Sequence, residues 1–153
     1  MPMCEQACGE GTAPALKAEK VAEEIASPAA LAAEMLRKAA YRVGQPGAWT
    51  QHYLGRMEDG TGTFARRAVH EDSIRSRCLL GALYCEHDLD PRANIHAAYE
   101  AIVRAIGTSL VADWNDDPAR RQVDVVGALL EAAEIAANGA TGSASATHLA
   151  EAA

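Results

Sequence analysis

The sequence is poor in aromatic side chains, with one phenylalanine, two tryptophans and four tyrosines in 153 residues. A core so short of rings must come from small and aliphatic residues on closely spaced elements. Because much of the 49% hydrophobic content is alanine, helix is favoured over sheet. No apolar run approaches the roughly 18 to 20 residues that cross a bilayer. Met1 to Glu10 lack the basic and apolar regions of a secretory signal. These absences predict no membrane association and a cytoplasmic location. Cysteine is scarce, at positions 4, 8, 78 and 85, and a chain large enough to bury a core without staples is expected to keep these thiols reduced. Glycine-rich phosphate loops, Ser-His-Asp patterns and short metal-ligand spacings are missing as well. No catalytic residue, metal ligand or cofactor is therefore assigned.

The punctuation predicts a mainly α fold, a compact bundle of four to five helices. Ser27-Pro28, Asp90-Pro91 and Asp117-Pro118 each place a side-chain acceptor before a proline, the pattern of an N-cap followed by proline in the first turn. Gly44 with Pro46, Gly107, and Asn138-Gly139 supply the stops. Helices are expected over about 28–43, 91–106 and 118–137. In the last of them Ala119, Val123, Val126, Leu130, Ala133 and Ala137 read as the buried stripe. A further helix from Asp72 or Ser73 to about His87 rests on Ile74, Cys78, Ala82 and Cys85 sharing a face. It is apolar on most sides and reads as the central helix, and Gly81 within it points to a close backbone neighbour. Leu16, Val21 and Ile25 allow a short helix over 15–26. Between the first two core helices, residues 48–68 hold neither period and read as a short irregular hairpin or loop around Glu58-Asp59-Gly60. Residues 1–14 and 139–153 are expected to be flexible tails flanking a single domain over 15–138.

Charge is unevenly distributed in this chain of net charge -7. Residues 37–78 carry eight basic and four acidic groups, while 1–36 carry two and six and 79–153 carry four and eleven. Within this basic island, Arg56, Arg66, Arg67, Arg75 and Arg77 near Trp49 form a candidate nucleic-acid or partner-binding set. The second candidate is the turn Asp113-Trp114-Asn115-Asp116-Asp117-Pro118. There Trp114, Asn115, Asp116 and Arg120 would bind a ligand, or else Asn115 and Asp116 satisfy local backbone, Asp117 caps the following helix and Trp114 anchors the loop. Cys78 and Cys85, two helical turns apart, are too distant for a disulfide and read as core residues. His87 and His96 flank a turn containing Asp88 and would either meet there with it as an acid-base or metal site or, the favoured reading, stand as solvent-exposed histidines at helix ends.

Cys78-Leu79-Leu80-Gly81-Ala82-Leu83, followed by Trp114-Asn115-Asp116-Asp117-Pro118-Ala119-Arg120 and Val125-Val126, resembles an uncharacterised family of small proteins from actinobacteria and their phages. The resemblance takes in Gly47-Ala48-Trp49 and spans roughly residues 29 to 137. Members usually carry Trp-Asn-Asp-x-Pro-Gly-Arg-Thr, where this chain has Ala119 and Arg121 in place of the glycine and threonine. The family brings no activity with it. Three functions are therefore weighed. The first is a non-enzymatic binding or regulatory module with a protein partner, the second a small-molecule-binding protein or enzyme using residues 114–117, and the third a nucleic-acid binder using residues 56–77.

Overall fold

The computed structural model describes residues 26–69 and 71–146. The helix expected over 15–26, together with Cys4, Cys8, His70 and His148, falls outside those residues, Ala26 excepted. The described chain runs α1 (Pro28–Gly44), β1 (Gly55–Met57), β2 (Gly62–Thr63), a 3-10 turn (Arg66–Ala68), β3 (Ile74–Arg77), α2 (Leu79–Leu89), α3 (Ile95–Ile106), α4 (Val111–Asp116) and α5 (Gln122–Ala146). It is mainly α, with a small antiparallel sheet in the order β2-β1-β3 between the first two helices. None of the described helices is long and apolar enough to cross a membrane.

Helix α1 forms as its sequence signals require. Ser27 accepts a hydrogen bond from the Ala30 N–H at 3.1 Å, Pro28 opens the first turn, and the helix ends at Gly44. Its buried face, Ala32, Met35, Leu36, Ala39, Ala40 and Val43, recurs at three- and four-residue steps. That face packs most extensively on α5, where Val125, Ala128, Leu129, Ala132 and Ala133 are buried. Alanines on both sides let the two backbones approach closely, which is how a chain with few rings closes its core. The register of the pair is pinned at both ends. Arg37 reaches Glu134 at 3.0 Å, and the Gln122 amide donates to the Val43 and Gln45 carbonyls at 2.5 and 2.6 Å, satisfying acceptors that the end of α1 would leave open.

Several starts and stops differ from the sequence expectation. Residues 74–77 form a strand, so the helix expected from Asp72 or Ser73 begins only at Leu79, with Cys78 as its N-cap. Burial of Ile74, Cys78, Ala82 and Cys85 imitates one helical face although the first two lie outside the helix. Nor is α2 the central helix, since α1 packs far more extensively, above all on α5, than α2 does on α1, α3, α4 and β3. Asp90 ends α2 while Asn94 caps α3, accepting from the His96 and Ala97 amides. Likewise Asp117 closes α4 and binds the Ala119 N–H. Helix α5 starts later, where Asp124 reaches back to the Arg121 N–H at 2.9 Å, half of a capping box.

The stripe expected in the last helix is rotated, because Val123 and Leu130 are exposed while Val125 and Leu129 have no exposure. Asn138-Gly139 does not stop α5, which continues to Ala146. Gly107, by contrast, ends α3 in the left-handed conformation at φ 73°. The hairpin around Glu58-Asp59-Gly60 is present, with Gly60 at φ 86° and Asp59 accepting from the Thr61 N–H at 2.8 Å.

Candidate functional site

Asn115 is the organising residue. It sits at the C-terminal end of the short helix α4, is 2% exposed, and has every polar position of its side chain engaged. Its Oδ1 accepts from the Trp49 indole N–H at 3.0 Å and from the Leu79 backbone N–H at 3.1 Å. Its Nδ2 donates to the Thr50 carbonyl at 3.3 Å and to Asp116 Oδ1 at 2.8 Å. One amide thus ties the loop after α1 and the first turn of α2 to α4. The Gly81 N–H, also in that turn, is taken by the Cys78 sulfur at 3.3 Å, so α2 is capped from two directions. The sequence expectation that Asn115 binds local backbone is corrected, for its backbone and indole partners lie 36 to 66 residues away and its one local partner is the Asp116 carboxylate.

Asp116 continues the tie. Its Oδ1 also accepts the His52 backbone N–H at 2.8 Å, while Oδ2 lies 3.6 Å from His52 Nδ1. His52 is held at φ 66°, the one non-glycine residue in the left-handed region among those described. Such a backbone costs on the order of 1 kcal/mol or more. We expect His52→Gly to raise stability by about 1 kcal/mol in urea unfolding, because glycine enters this region freely and the lost imidazole is largely exposed.

Behind His52 and Asp116 lies a cavity of about 120 Å³ lined by Tyr53, Leu54, Phe64, Cys78, Leu80, Ala112 and Asn115. Burial pushes the Cys78 thiol up to about 11, with the nearby Asp116 carboxylate adding to the rise, so it stays protonated at neutral pH. Trp114 and Arg120 face elsewhere. The Arg120 guanidinium stacks 3.8 Å over the indole and donates to the Trp114 carbonyl at 3.1 Å. Of the four residues expected to form one ligand site, Asn115 and Asp116 line this cavity, whereas Trp114 and Arg120 form their own stack.

The basic residues divide differently from their order in the chain. Arg56 lies over Tyr53 and donates to Thr50 and to the Gly60 carbonyl. Arg66 lies over Tyr84 and pairs with Asp88 at 3.3 Å, and Arg67 is exposed. The Trp49 indole is held by Asn115. Arg75 and Arg77, on β3, instead meet α1. Together with Arg37, Lys38 and Arg42 they line an open cleft of about 590 Å³, beside Glu34, Tyr41 and Glu86. The two ends of the basic island are thereby brought together, a meeting that the count along the sequence did not reveal.

At the floor of this cleft Arg77 is buried, donating to the Val69, Ile74 and Glu71 carbonyls, and desolvation lowers its pKa. Glu86, 6% exposed, is joined to Arg42 at 2.6 Å. Cys85 lies against the same charges, and its thiol is raised by burial despite the opposing pull of Arg42 and Arg77. At the rim Arg37, Lys38 and Arg75 hold exposed partners in Glu134, Glu34 and Glu58, and Tyr41 is 75% exposed. His96 pairs with Glu100 on its own helix at 3.2 Å. Among the described residues no three His, Cys, Asp or Glu side chains gather in a metal-holding group.

No curated protein and no solved structure matches the chain. A family model described as a family of unknown function, DUF6197, matches residues 27–135, which takes in α1 through most of α5 and every residue that ties Trp49, Leu79 and Asn115 together, and the chain belongs to that family.

Proposed function

We propose that the protein is a binding module whose cleft between α1 and β3 takes a short acidic segment of a partner protein. The observation that carries this reading is the convergence of Arg37, Lys38, Arg42, Arg75 and Arg77 on one cleft of a chain with net charge -7. The lining of the cleft holds five cationic and two acidic side chains, with Glu134 and Glu58 paired to Arg37 and Arg75 at the rim, so a modest positive surplus in an acidic molecule would orient an approaching acidic segment. Its rim is easily rearranged, because exposed ion pairs contribute only about 0–1 kcal/mol and the guanidinium of Arg37 or Arg75 can exchange its own carboxylate for an incoming one. Tyr41 offers an exposed ring with a polar tip beside them.

A nucleic acid fits less well. A phosphate strand calls for a continuous basic track and successive stacking rings. Here Glu34 and Glu86 interrupt the track and Tyr41 is the single ring in the lining. A regulatory role, in the actinobacterial or phage setting of the proteins the sequence resembles, and a cytoplasmic location, consistent with the unpaired Cys78 and Cys85, complete the proposal.

The test is fluorescence anisotropy with a labelled hexaglutamate peptide and a labelled hexathymidylate in parallel. Hexaglutamate should bind more tightly, weaken as salt shortens the screening length, and lose at least about tenfold in affinity on Arg37→Gln, Lys38→Gln, Arg75→Gln, a variant whose changes are all at exposed side chains. Equal binding by the variant would overturn the assignment to this cleft. Tighter binding of the oligonucleotide would overturn the assignment to an acidic peptide.

A further inference from the structure

We propose that the cavity behind His52 and Asp116 is a second binding site, for an alkylammonium group of four or five carbons. It stands apart from the basic cleft and shares no lining residue with it. Its volume of about 120 Å³ is small beside the roughly 300–1,000 Å³ of pockets for drug-sized ligands. A short aliphatic chain suits so small a space, and a nucleotide does not.

The walls specify the rest. Tyr53, Leu54, Phe64, Leu80 and Ala112 present apolar surface that would exclude water from methylene groups. At the polar end, Asn115 has no bonding capacity left, since its Oδ1 and Nδ2 are both doubly engaged. Asp116 differs. Both of its hydrogen bonds fall on Oδ1, and Oδ2 has only the His52 ring, 3.6 Å away. Among the described residues no arginine or lysine pairs with this carboxylate, and 29% of its side chain remains exposed. An ammonium head placed at Oδ2 would supply the charge partner that a half-buried carboxylate ordinarily has, while its carbon chain occupies the apolar space behind.

The strained His52 backbone follows from the same arrangement. Its N–H is drawn to Asp116 Oδ1, which fixes the carboxylate with Oδ2 on the side of the imidazole, and both residues belong to the lining. Phe64, tilted against Tyr53 at 5.0 Å between ring centroids and itself 70% exposed, is a part of the lining left open to solvent.

The required chemistry is carried equally by a free alkylamine and by the lysine side chain of a partner. Amide shifts of Leu54, Leu80 and Asp116 in heteronuclear NMR would be followed during titration with pentylammonium chloride, 1-pentanol, and lysine capped as the N-acetyl methylamide. Pentylammonium should bind at least about tenfold more tightly than pentanol. Binding of the capped lysine as tightly as pentylammonium identifies a partner lysine as the occupant, and binding of pentylammonium alone identifies a free amine. Asp116→Asn keeps an acceptor for the His52 N–H while removing the charge, and should weaken pentylammonium at least about tenfold. Should that variant not fold, Ala112→Phe, made at an exposed helical position on the lining, should block the site and leave the helical circular dichroism unchanged. Equal affinity for pentanol and pentylammonium, no shifts with either amine at 50 mM, or undiminished binding by both variants would overturn the proposal.

Discussion

Replacing Asn115 by alanine is expected to lower the unfolding free energy by about 3 to 5 kcal/mol, measured by urea denaturation with helical circular dichroism as the signal. Four buried or half-buried groups lose a partner at once, namely the Trp49 indole N–H, the Leu79 N–H, the Thr50 carbonyl and the Asp116 carboxylate. Each unsatisfied buried group costs about 1 to 3 kcal/mol, and entry of water into the space left by the amide relieves part of the total. Asn115→Asp separates the two halves of the role. It preserves the acceptor for Trp49 and Leu79 but turns the Nδ2 contacts with the Thr50 carbonyl and Asp116 into clashes between acceptors. It should therefore be at least as damaging as alanine at neutral pH. A loss below about 1 kcal/mol for both variants would mean that Asn115 does not hold these three segments together.

Gly81→Ala is expected to destabilise by about 3 kcal/mol or more, against the usual preference of a helix for alanine by roughly 1 kcal/mol. A Cβ at this position would lie 1.8 Å from the Leu54 carbonyl oxygen and 2.8 Å from its carbon. No rotamer relieves that overlap, because the neighbour is backbone. Leu54 is also fixed where it is, its carbonyl accepting from the Cys78 N–H at 3.1 Å and its N–H donating to the Thr63 carbonyl at 3.0 Å. Relief would have to come from moving the β1 segment away from α2, which breaks both bonds. Chemical denaturation decides the sign, and a stabilised Gly81→Ala protein would show that this close approach does not exist in solution.

The close approach at Gly81 was legible in the sequence because a glycine inside an apolar helix has few other physical reasons to be there. The caps at Ser27 and the stops at Gly44 and Gly107 were legible for the same kind of reason, each being a local requirement met by a local residue. What could not be read was everything set by distant partners. Ile74 to Arg77 become a strand because β1 pairs with them, and their helical spacing with Ala82 and Cys85 is a by-product of common burial. The prolines at 91 and 118 initiate turns, while Asn94 and the pair Arg121 and Asp124 begin the helices that follow. Leu130 was misread as core because Leu129 and Leu130 are adjacent and composition alone does not say which of the two faces α1.

The candidate sites divide along the same line. That residues 37–78 are basic is a matter of counting, but that Arg37 and Arg77 share a cleft depends on the chain returning to α1 through β3. His52 carried no sequence signal, and its importance arises only from the backbone angle and from the carboxylate that meets it across 64 residues.

The tie made by Asn115 also imposes an order on synthesis. Trp49 leaves the ribosome 66 residues ahead of its acceptor, and at about 5–20 residues per second that interval is roughly 3–13 s. Throughout it the Trp49 indole N–H lacks its acceptor and the first turn of α2 has no cap from α4, although the loop after α1 can already meet β3 through the Thr50 and Arg77 N–H groups. A nascent chain halted before residue 115 therefore lacks the tie that joins the loop after α1 and the first turn of α2 to α4, and the interior is sealed only as the later helices emerge.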